Sequence, residues 1–570
     1  MQSREAHQAL PGPDRPRAAW VTTAVATFAT WALGACVFFW AQVTTGFDRL
    51  MGNDGDTRLI VYLNEHWFHV LRGSTAWRDP AMFYPIRGIL GYSDTFFLWQ
   101  PFYATFRIFG AEPFLAFQLT IVALSLLGFA TFVALVRTAF GCTRVVAMVG
   151  ALVFTFASSL ETHAGSPQLF GMYFVPGIVF IALIAWRQRN AHPARSAALG
   201  AGAGLLAGIL LFSTYYVAWF SLLATGVALL VTFLLSPRAG WARGRRAVTT
   251  GWRVLLAGGV GFGVGLVPFL VTYLPVVHTV GARKYGTAMY FAPAVHDVVN
   301  LTTDNRVWGR LLESIWNLPS NAAYEVSYAV TPLLLASVTL GALLLGWSAW
   351  SGRAVLDARR RFTVALCLTP IILTILPIRT SAGSVWVLVW HLPGATAIRA
   401  ADRLQVVSDL VAALALVALA SDPWLRGALA RCRPWVRVLA ALLLVGVVVE
   451  QVSLPTTSSL HRTDEIATLA AVPPAPHGCT TFFVVDRPGR IPFYADLTEA
   501  MLISQRQGIP TLDGYSGETP PGWNLLLAPG QVRDLDSYAQ VWANSHGILS
   551  GVCRLDLETD TWQGPYPNGW

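Results

Sequence analysis

The fold is decided by residues 18–72, in which the apolar run AAWVTTAVATFATWALGACVFFWAQ (18–42) precedes MGNDGDTRLIVYLNEHWFHVLR (51–72). An apolar run of about 25 residues is long enough to cross a bilayer, and it is longer than the hydrophobic part of a cleavable signal peptide. We therefore expect a retained signal anchor, followed by a polar loop on the far side of the membrane.

The composition of the whole chain agrees with a membrane protein. Of its 570 residues, 54% are hydrophobic and only 12% are charged, and the mean hydropathy is +0.51. Soluble domains are about a quarter charged. The net charge of +9 is first interpreted as an excess of basic residues in cytoplasmic loops, because this bias orients membrane proteins. Nucleic-acid binding is not expected.

Apolar runs of spanning length recur along the chain, and basic clusters fall at alternate connections between them. Keeping every cluster in the cytoplasm predicts eleven spans, with the N-terminus inside and the C-terminus outside, as in a multi-pass protein of the bacterial inner membrane. The shorter apolar runs 96–109 and 385–392 are interpreted as interfacial or re-entrant. The predicted spans are 18–42, 113–136, 144–160, 168–187, 195–213, 215–236, 251–275, 327–350, 361–379, 404–421 and 434–453.

This topology divides the chain into a transmembrane domain, 1–453, and an exoplasmic C-terminal domain, 454–570. The transmembrane domain has outside loops at 43–112, 276–326 and 380–403. The tail is rich in turn residues and β-branched runs, which predicts a small α/β or mostly β fold. Cys479 and Cys553 lie in its first and last strand-like runs. A disulfide between them is expected if both face an oxidising compartment.

The first outside loop combines acidic and aromatic residues. Such a loop suits a site that deprotonates a hydroxyl and holds a sugar, since a general base needs a carboxylate within hydrogen-bond reach. The alternative is an ordinary solvated loop with an interfacial aromatic belt. The candidate catalytic acids are Asp54, Asp56 and Asp94, and the candidates for acceptor binding or positioning are Glu65, His66, Tyr84, His163 and Glu325.

Metal binding is left open by the sequence. Asp54 and Asp56 form a D-x-D pattern, and His66 and His69 are three positions apart on one helical stretch. Both patterns occur in metal sites, but such histidines more often cap or pack a helix. No cofactor is required by these residues, and a divalent cation remains an alternative.

Basic residues in the outside loops oppose the positive-inside trend. Arg283 and Lys284 follow one predicted span, and Arg399 and Arg403 precede another. Arginine binds phosphate oxygens bidentately, so these residues are candidates for a phosphate-binding set. Binding of anionic lipid, or pairing with the acids of the first loop, would explain them equally well.

Four segments carry a resemblance to a known family. They are GDTRLIVYLNEHW (55–67) with FYP (83–85) and GYSD (91–94), HAGSPQLF (163–170), AIRAADR (397–403), and GIPTLDGYSGETPP (508–521). These segments, and the order of spans, long first loop and exoplasmic tail, resemble the GT-C superfamily of membrane glycosyltransferases, in a bacterial YfhO-like branch. The resemblance in layout covers essentially the whole chain.

The resemblance implies a fold and an activity. A GT-C enzyme moves a sugar from a polyprenyl-phosphate donor to an acceptor, commonly with inversion, and its base is an acid early in the first loop. This implies Asp56 as the base, in preference to Asp54, and Asp94 as a second acid. The expected partners are a polyprenyl-phosphate-linked sugar, membrane lipids, and a glycan, lipid or protein acceptor of the cell envelope. The roles of the four cations follow from charge alone.

Two other functions remain as alternatives. A transporter or flippase of a lipid-linked glycan would be expected to show internal repeats and charges at mid-membrane depth. A non-catalytic scaffold would use the tail to bind an envelope polymer. The aromatic residues of the tail, Tyr494, Tyr515, Trp523 and Trp542, could stack on a glycan or form the core of the domain.

Overall fold

A computed structural model describes residues 17–316, 328, 330–353, 355–454, 460–485, 494–525 and 535–566. Residues 17–316 form helices α1 (Arg17–Phe38), α2 (Trp40–Thr44), α3 (Asp56–Leu71), α4 (Gln100–Ile108), α5 (Pro113–Phe140), α6 (Arg144–Thr155), α7 (Ser158–Thr162), α8 (Val175–Gln188), α9 (Pro193–Ser213), α10 (Tyr215–Leu234), α11 (Pro237–Val280), α12 (Tyr285–Tyr290) and α13 (Gly309–Trp316). Short 3₁₀ turns join some of these helices, including Ile89–Tyr92 and Pro167–Phe174.

The remainder of the chain adds further helices and a small sheet. The helices are α14 (Pro332–Trp350), α15 (Ala358–Ile375), α16 (Trp386–Trp390), α17 (Gln405–Ala420), α18 (Pro423–Arg431), α19 (Pro434–Val449), α20 (Arg462–Ala471), α21 (Tyr494–Gln507) and α22 (Leu535–Ser545). The strands are β1 (Thr481–Val485), β2 (Val552–Asp556) and β3 (Thr561–Gln563).

Within the described residues, eight helical segments are long and apolar enough to cross a membrane, which confirms a multi-pass helical protein. They are Pro113–Phe140, Arg144–Thr162, Pro167–Gln188, Pro193–Ser213, Tyr215–Leu234, Pro237–Val280, Pro332–Trp350 and Ala401–Ala420. The other three predicted spans fall on α15, on the apolar stretch Thr22–Phe38 of α1 and on α19, none of which is among these eight. The count of eleven therefore stays a prediction.

The two ambiguous apolar runs are too short to cross a bilayer. Helix α4 has nine residues and α16 has five. At 1.5 Å per residue, even α4 is only about 14 Å long, less than half the hydrocarbon thickness. Neither run spans, in agreement with the sequence-based interpretation.

Helix α11 is the longest element, with 44 residues. It packs closely on α9 through glycines: a Cβ on Gly204 would lie 2.0 Å from the carbonyl oxygen of Gly258, and one on Gly208 would lie 2.7 Å from that of Phe262. Small residues at such a crossing let two helix backbones approach. The C-terminal turns of α11 are thereby held beside the first outside loop, where a Cβ on Gly91 would meet the carbonyl oxygen of Thr272 at 2.3 Å.

The tail folds as a small α/β unit, one of the two sheet-containing forms expected from the sequence. Strands β1 and β2 are parallel, β2 and β3 are antiparallel, and helices α20, α21 and α22 accompany them. A disulfide joins Cys479 to Cys553, which confirms the expected pair. Phe482 on β1 and Leu555 on β2 are fully buried in the core of this unit.

The tail packs directly on the first outside loop. The guanidinium of Arg58 on α3 makes two 2.7 Å bonds to the carboxylate of Glu465 on α20. The backbone N–H groups of Phe83 and Tyr84 donate to the carbonyls of Asp513 and Thr511 at 2.9 and 3.0 Å. Because apolar side chains of the tail also join the main core, the two regions form one continuous packed structure.

Candidate functional site

A cavity of about 680 Å³ lies where the first loop, the end of α11, the start of α10 and the tail meet. All four segments noted in the sequence contribute to its wall. They supply Asp56, Gly91, Tyr92, Ser93 and Asp94 from the first, Gln168 from the second, Ala397, Arg399 and Arg403 from the third, and Gly514, Tyr515, Ser516, Gly517, Glu518 and Thr519 from the fourth. Segments separated by hundreds of residues thus converge on one site.

Asp56 is the first residue of α3. The side chain of Asn53 accepts hydrogen bonds from the backbone N–H groups of Gly55 and Asp56 at 3.0 and 2.8 Å, which fixes the start of the helix. The N-terminal end of a helix favours a negative charge. The Asp56 carboxylate accepts long hydrogen bonds from Tyr515 at 3.3 Å and from Ser166 and Gln168 at 3.4 Å. It is oriented from two sides while still facing the cavity.

Asp94 is the second carboxylate of the cavity. It accepts a 2.8 Å hydrogen bond from the backbone N–H of Tyr215, at the first turn of α10. The pKa of Asp94 is raised to about 6, mainly by burial and to a smaller extent by the charge of Asp56, against the lowering effects of the Tyr215 N–H and of Arg403. Asp94 is therefore a group that changes charge close to neutral pH.

Tyr216 holds the two arginines of the third segment. Its hydroxyl accepts a 2.7 Å hydrogen bond from the backbone N–H of Arg399. The guanidinium of Arg403 lies 5.4 Å from the centre of the Tyr216 ring, and that of Arg399 lies 4.8 Å from the ring of Phe291. Cation–π contacts of this kind orient a guanidinium without removing its charge. Both arginines line the cavity.

Arg283 connects the end of α11 to the tail. Its guanidinium forms an ion pair with Glu518 and donates to the carbonyl oxygen of Gly517 at 3.0 Å. Arg283 lines the cavity, whereas the neighbouring Lys284 is exposed and does not. Of the four predicted cations, Arg283, Arg399 and Arg403 line the cavity and Lys284 does not.

One wall of the cavity is apolar and belongs to a spanning helix. Leu270, Leu274 and Val277 of α11 line the cavity, and each has more than 40% of its surface exposed. A cavity with charged groups at one side and an open apolar wall at another fits an amphiphile with an anionic head group and a hydrocarbon chain.

The tail completes the site through Tyr515. The ring of Tyr515 packs against Tyr494 with centroids 5.3 Å apart, and the adjacent Ser516 donates to the carbonyl oxygen of Tyr92 at 2.7 Å. Burial and the charge of Asp56 raise the pKa of Tyr515, so that its hydroxyl stays protonated and can donate. Trp523 and Trp542 are buried core residues of the tail, although Trp523 also touches the cavity.

Glu65 and His66 do not line the cavity. The Glu65 carboxylate makes two 2.8 Å bonds to the guanidinium of Arg107 and accepts a 2.7 Å bond from Tyr103. His66 bonds the carbonyl oxygen of Trp77 at 3.0 Å, and burial lowers the pKa of its imidazole. Both residues join α3 to its neighbours in the loop.

The other predicted residues have distinct surroundings. The carbonyl oxygens of Asp54 and Tyr84 accept bonds from Thr498 and Trp542 of the tail, at 2.9 and 2.7 Å, and neither residue lines the cavity. His163 is buried behind the cavity, against Asp402. Glu325 lies outside the described residues.

Among the described residues, no three His, Cys, Asp or Glu side chains are arranged to hold a metal ion. Of the two residues in the D-x-D pattern, only Asp56 lines the cavity. Asp56 is the first residue of α3, and Asp54 precedes the helix. His66 is bonded to a carbonyl, and His69 lies 3.7 Å from Glu65.

Sequence reasoning did not single out Tyr216 or Glu518, and it gave Tyr515 only a stacking or core role. Tyr216 stands at the start of an apolar run, where an aromatic residue is first interpreted as part of the interfacial belt. The available signal for Tyr515 and Glu518 was their position in the fourth segment, DGYSGE (513–518).

Comparison with known proteins finds no matching family model and no similar curated protein. Among solved structures, the chain is similar to ArnT from Cupriavidus metallidurans. The apo state of that protein is 13% identical, with a TM-score of 0.45, over 94% of this chain and 93% of that one. The form bound to undecaprenyl phosphate is 14% identical, with a TM-score of 0.40, over 87% and 90% of the two chains. A likeness this distant carries no conclusion about activity.

Proposed function

We propose that the protein is a glycosyltransferase that moves a sugar from a polyprenyl-phosphate donor to an acceptor of the cell envelope. The observation that carries the proposal is the joining, in one cavity, of Asp56, Arg399, Arg403 and the apolar wall of α11. A base, a phosphate-binding pair and a surface for a hydrocarbon chain are the three features that such a donor and reaction require.

In the proposed reaction, Asp56 accepts the proton of the acceptor hydroxyl. The acceptor oxygen attacks the anomeric carbon, and the bond from that carbon to the phosphate oxygen breaks. The phosphate leaves with the electron pair, and Arg399 and Arg403 stabilise its added negative charge. Because attack and departure occur on opposite faces of the carbon, the anomeric configuration inverts.

Asp94 has a supporting part in this proposal. Its carboxylate bonds the first turn of α10, which carries Tyr216, and its charge acts on Arg403. Ionised Asp94 would hold Arg403 at the cavity wall. Tyr515, Ser166 and Gln168 would orient Asp56 for proton transfer.

We place the cavity on the outer face of the bacterial inner membrane. The support is the distribution of basic clusters, which keeps the N-terminus in the cytoplasm and the cavity, with the tail, on the opposite side. Polyprenyl-phosphate-linked sugars and envelope acceptors would meet on that face. The donor chain would enter along the exposed wall of α11.

The test is incubation of the purified protein with a panel of polyprenyl-phosphate sugars and envelope acceptors, measuring release of polyprenyl phosphate. We expect the wild type to release polyprenyl phosphate from one donor. This release should be lost in Asp56→Asn and kept in Asp54→Asn, the matched substitution two residues away. If Asp56→Asn still transferred the sugar, Asp56 would not be the general base. Failure of the wild type with every donor, together with movement of a lipid-linked glycan across proteoliposome membranes, would favour the transporter.

A further inference from the structure

A buried pair behind the cavity joins two of its walls. Nε2 of His163 lies 3.2 Å from Oδ2 of Asp402, and the side chains are only 2% and 0% exposed. His163 belongs to the HAGSPQLF segment and Asp402 to the AIRAADR segment, which are far apart in the chain.

Both ring nitrogens of His163 have a hydrogen-bond partner. Nδ1 contacts the carbonyl oxygen of Ser159 at 2.9 Å, and Nε2 contacts the carboxylate of Asp402. Because both side chains are buried, neither can turn to water, and the contact between them constrains the positions of both residues.

Each member of the pair stands next to groups of the cavity. Three and five residues after His163, Ser166 and Gln168 bond the Asp56 carboxylate. Arg403 directly follows Asp402 on the short turn Ala401–Leu404, and Arg399 lies three residues before Asp402 in the chain. The pair is thus the buried link between the side chains that hold Asp56 and the backbone that carries the two arginines.

We propose that His163 and Asp402 are positioning residues that fix Asp56 relative to Arg399 and Arg403. The inference rests on the proposed function, because these groups act on opposite ends of the displacement. The base must meet the attacking hydroxyl on one side of the sugar while the arginines hold the phosphate on the other. A misplacement of about 1 Å in such an arrangement lowers the rate by about 10²-fold.

The experiment compares Asp402→Ala and Asp402→Asn with Asp422→Asn, whose carboxylate is equally buried and pairs with Arg360 away from the cavity. We measure kcat and KM for the donor, binding of polyprenyl phosphate alone, and the midpoint of thermal unfolding. Asp402→Ala is expected to lower kcat by about 10²-fold while polyprenyl phosphate still binds. Asp402→Asn, which can still accept a bond from His163, should recover most of the rate. Asp422→Asn should change the unfolding midpoint and leave kcat within about twofold.

Amide hydrogen exchange gives a readout that does not depend on activity. In Asp402→Ala, protection should fall together in 163–170 and 397–403, whereas Asp422→Asn should leave both unchanged. The inference is overturned if the two segments respond independently, or if kcat falls only in proportion to the loss of folded protein. Absence of transfer in the wild type would instead refute the proposed function, and the exchange experiment would still decide whether the pair couples the two segments.

Discussion

The hydroxyl of Tyr515 donates to Oδ1 of Asp56 at 3.3 Å, although 459 positions separate the two residues in the chain. The contact joins the first helix of the outside loop to the tail. It gives the carboxylate a hydrogen-bond donor from a region that begins only after the apolar helices have ended.

Replacing Tyr515 with Phe should lower the rate of transfer and leave the fold intact. A hydrogen bond to a charged group contributes about 1.5–3 kcal/mol, and this one is long, so the expected loss in kcat is about tenfold. Tyr538→Phe removes a hydroxyl from the same tail, away from the cavity, and should have no effect. Equal kcat in the Tyr515 and Tyr538 variants would show that the contact does not assist the base.

Asp94 should make the rate and the stability depend on pH in opposite directions. Its pKa is raised to about 6. Below that pH it is protonated and loses its charge beside Arg403, so kcat should fall. Between the ordinary value of 3.8 and about 6, the folded protein keeps a proton that the unfolded chain has lost, so stability should decrease as pH rises.

The measurement is kcat and thermal unfolding across this range, with Asp94→Asn and Asp79→Asn compared. Asp94→Asn should remove both dependences, at a lower plateau rate. Asp79 lies in the same loop but does not line the cavity, so its substitution should preserve the wild-type profile. An unchanged profile in Asp94→Asn would assign the titration to another group.

The arginines should differ in their effects on donor binding. Arg403→Gln and Arg399→Gln each remove a charge-assisted contact to the donor phosphate, so KM should rise about ten- to a hundredfold. Arg283→Gln should have a smaller effect, because Arg283 follows the end of α11 and is not part of the third segment, which carries the proposed phosphate-binding pair. Lys284→Gln, at an exposed position outside the cavity, should have the smallest. Steady-state kinetics with the donor concentration varied gives KM for each variant. If KM rose more in Arg283→Gln and Lys284→Gln than in Arg399→Gln and Arg403→Gln, the donor phosphate would instead lie at the end of α11.

The ion pair between Arg58 and Glu465 should dominate the attachment of the tail. Both side chains are buried, at 3% and 8% exposure. Removing one partner leaves an uncompensated buried charge and costs about 3–5 kcal/mol, so Glu465→Gln should clearly lower the unfolding midpoint. Asp536→Asn is the control, because its pair with Arg554 is more exposed. Similar unfolding midpoints for Glu465→Gln and Asp536→Asn would show that the Arg58–Glu465 pair contributes no more to stability than the exposed pair.

The apolar helices could be predicted from sequence because their signal is local. Each run of spanning length lies on a helix where the structure describes it. The run 96–109 was distinguished by its short length and by the alternation of the basic clusters, which a further span would break, and the run 385–392 is equally short. The number of spans was harder to predict, because α15, α19 and the stretch Thr22–Phe38 of α1 have the apolar pattern but are not among the eight helical segments of clear spanning length and hydropathy.

The site could be predicted only in part, for a physical reason. Asp56, Asp94, Arg283, Arg399 and Arg403 stood out because charge is unusual in their surroundings, and all five line the cavity. Glu65 has the same chemistry, but its pairing with Arg107 depends on how α3 and α4 cross. Tyr216 carries no charge, and its contact with Arg399 joins residues 183 positions apart, so no local pattern marks it.

The place of the fourth segment in the chain has a consequence for biosynthesis. Residues 508–521 are translated after helices α1–α19, yet several of them form part of the cavity wall. A nascent chain that ends after α19 would still lack Tyr515 beside Asp56. Translation order alone therefore delays completion of the site until the tail has been made and docked, and a prematurely terminated chain would occupy the membrane without a finished cavity.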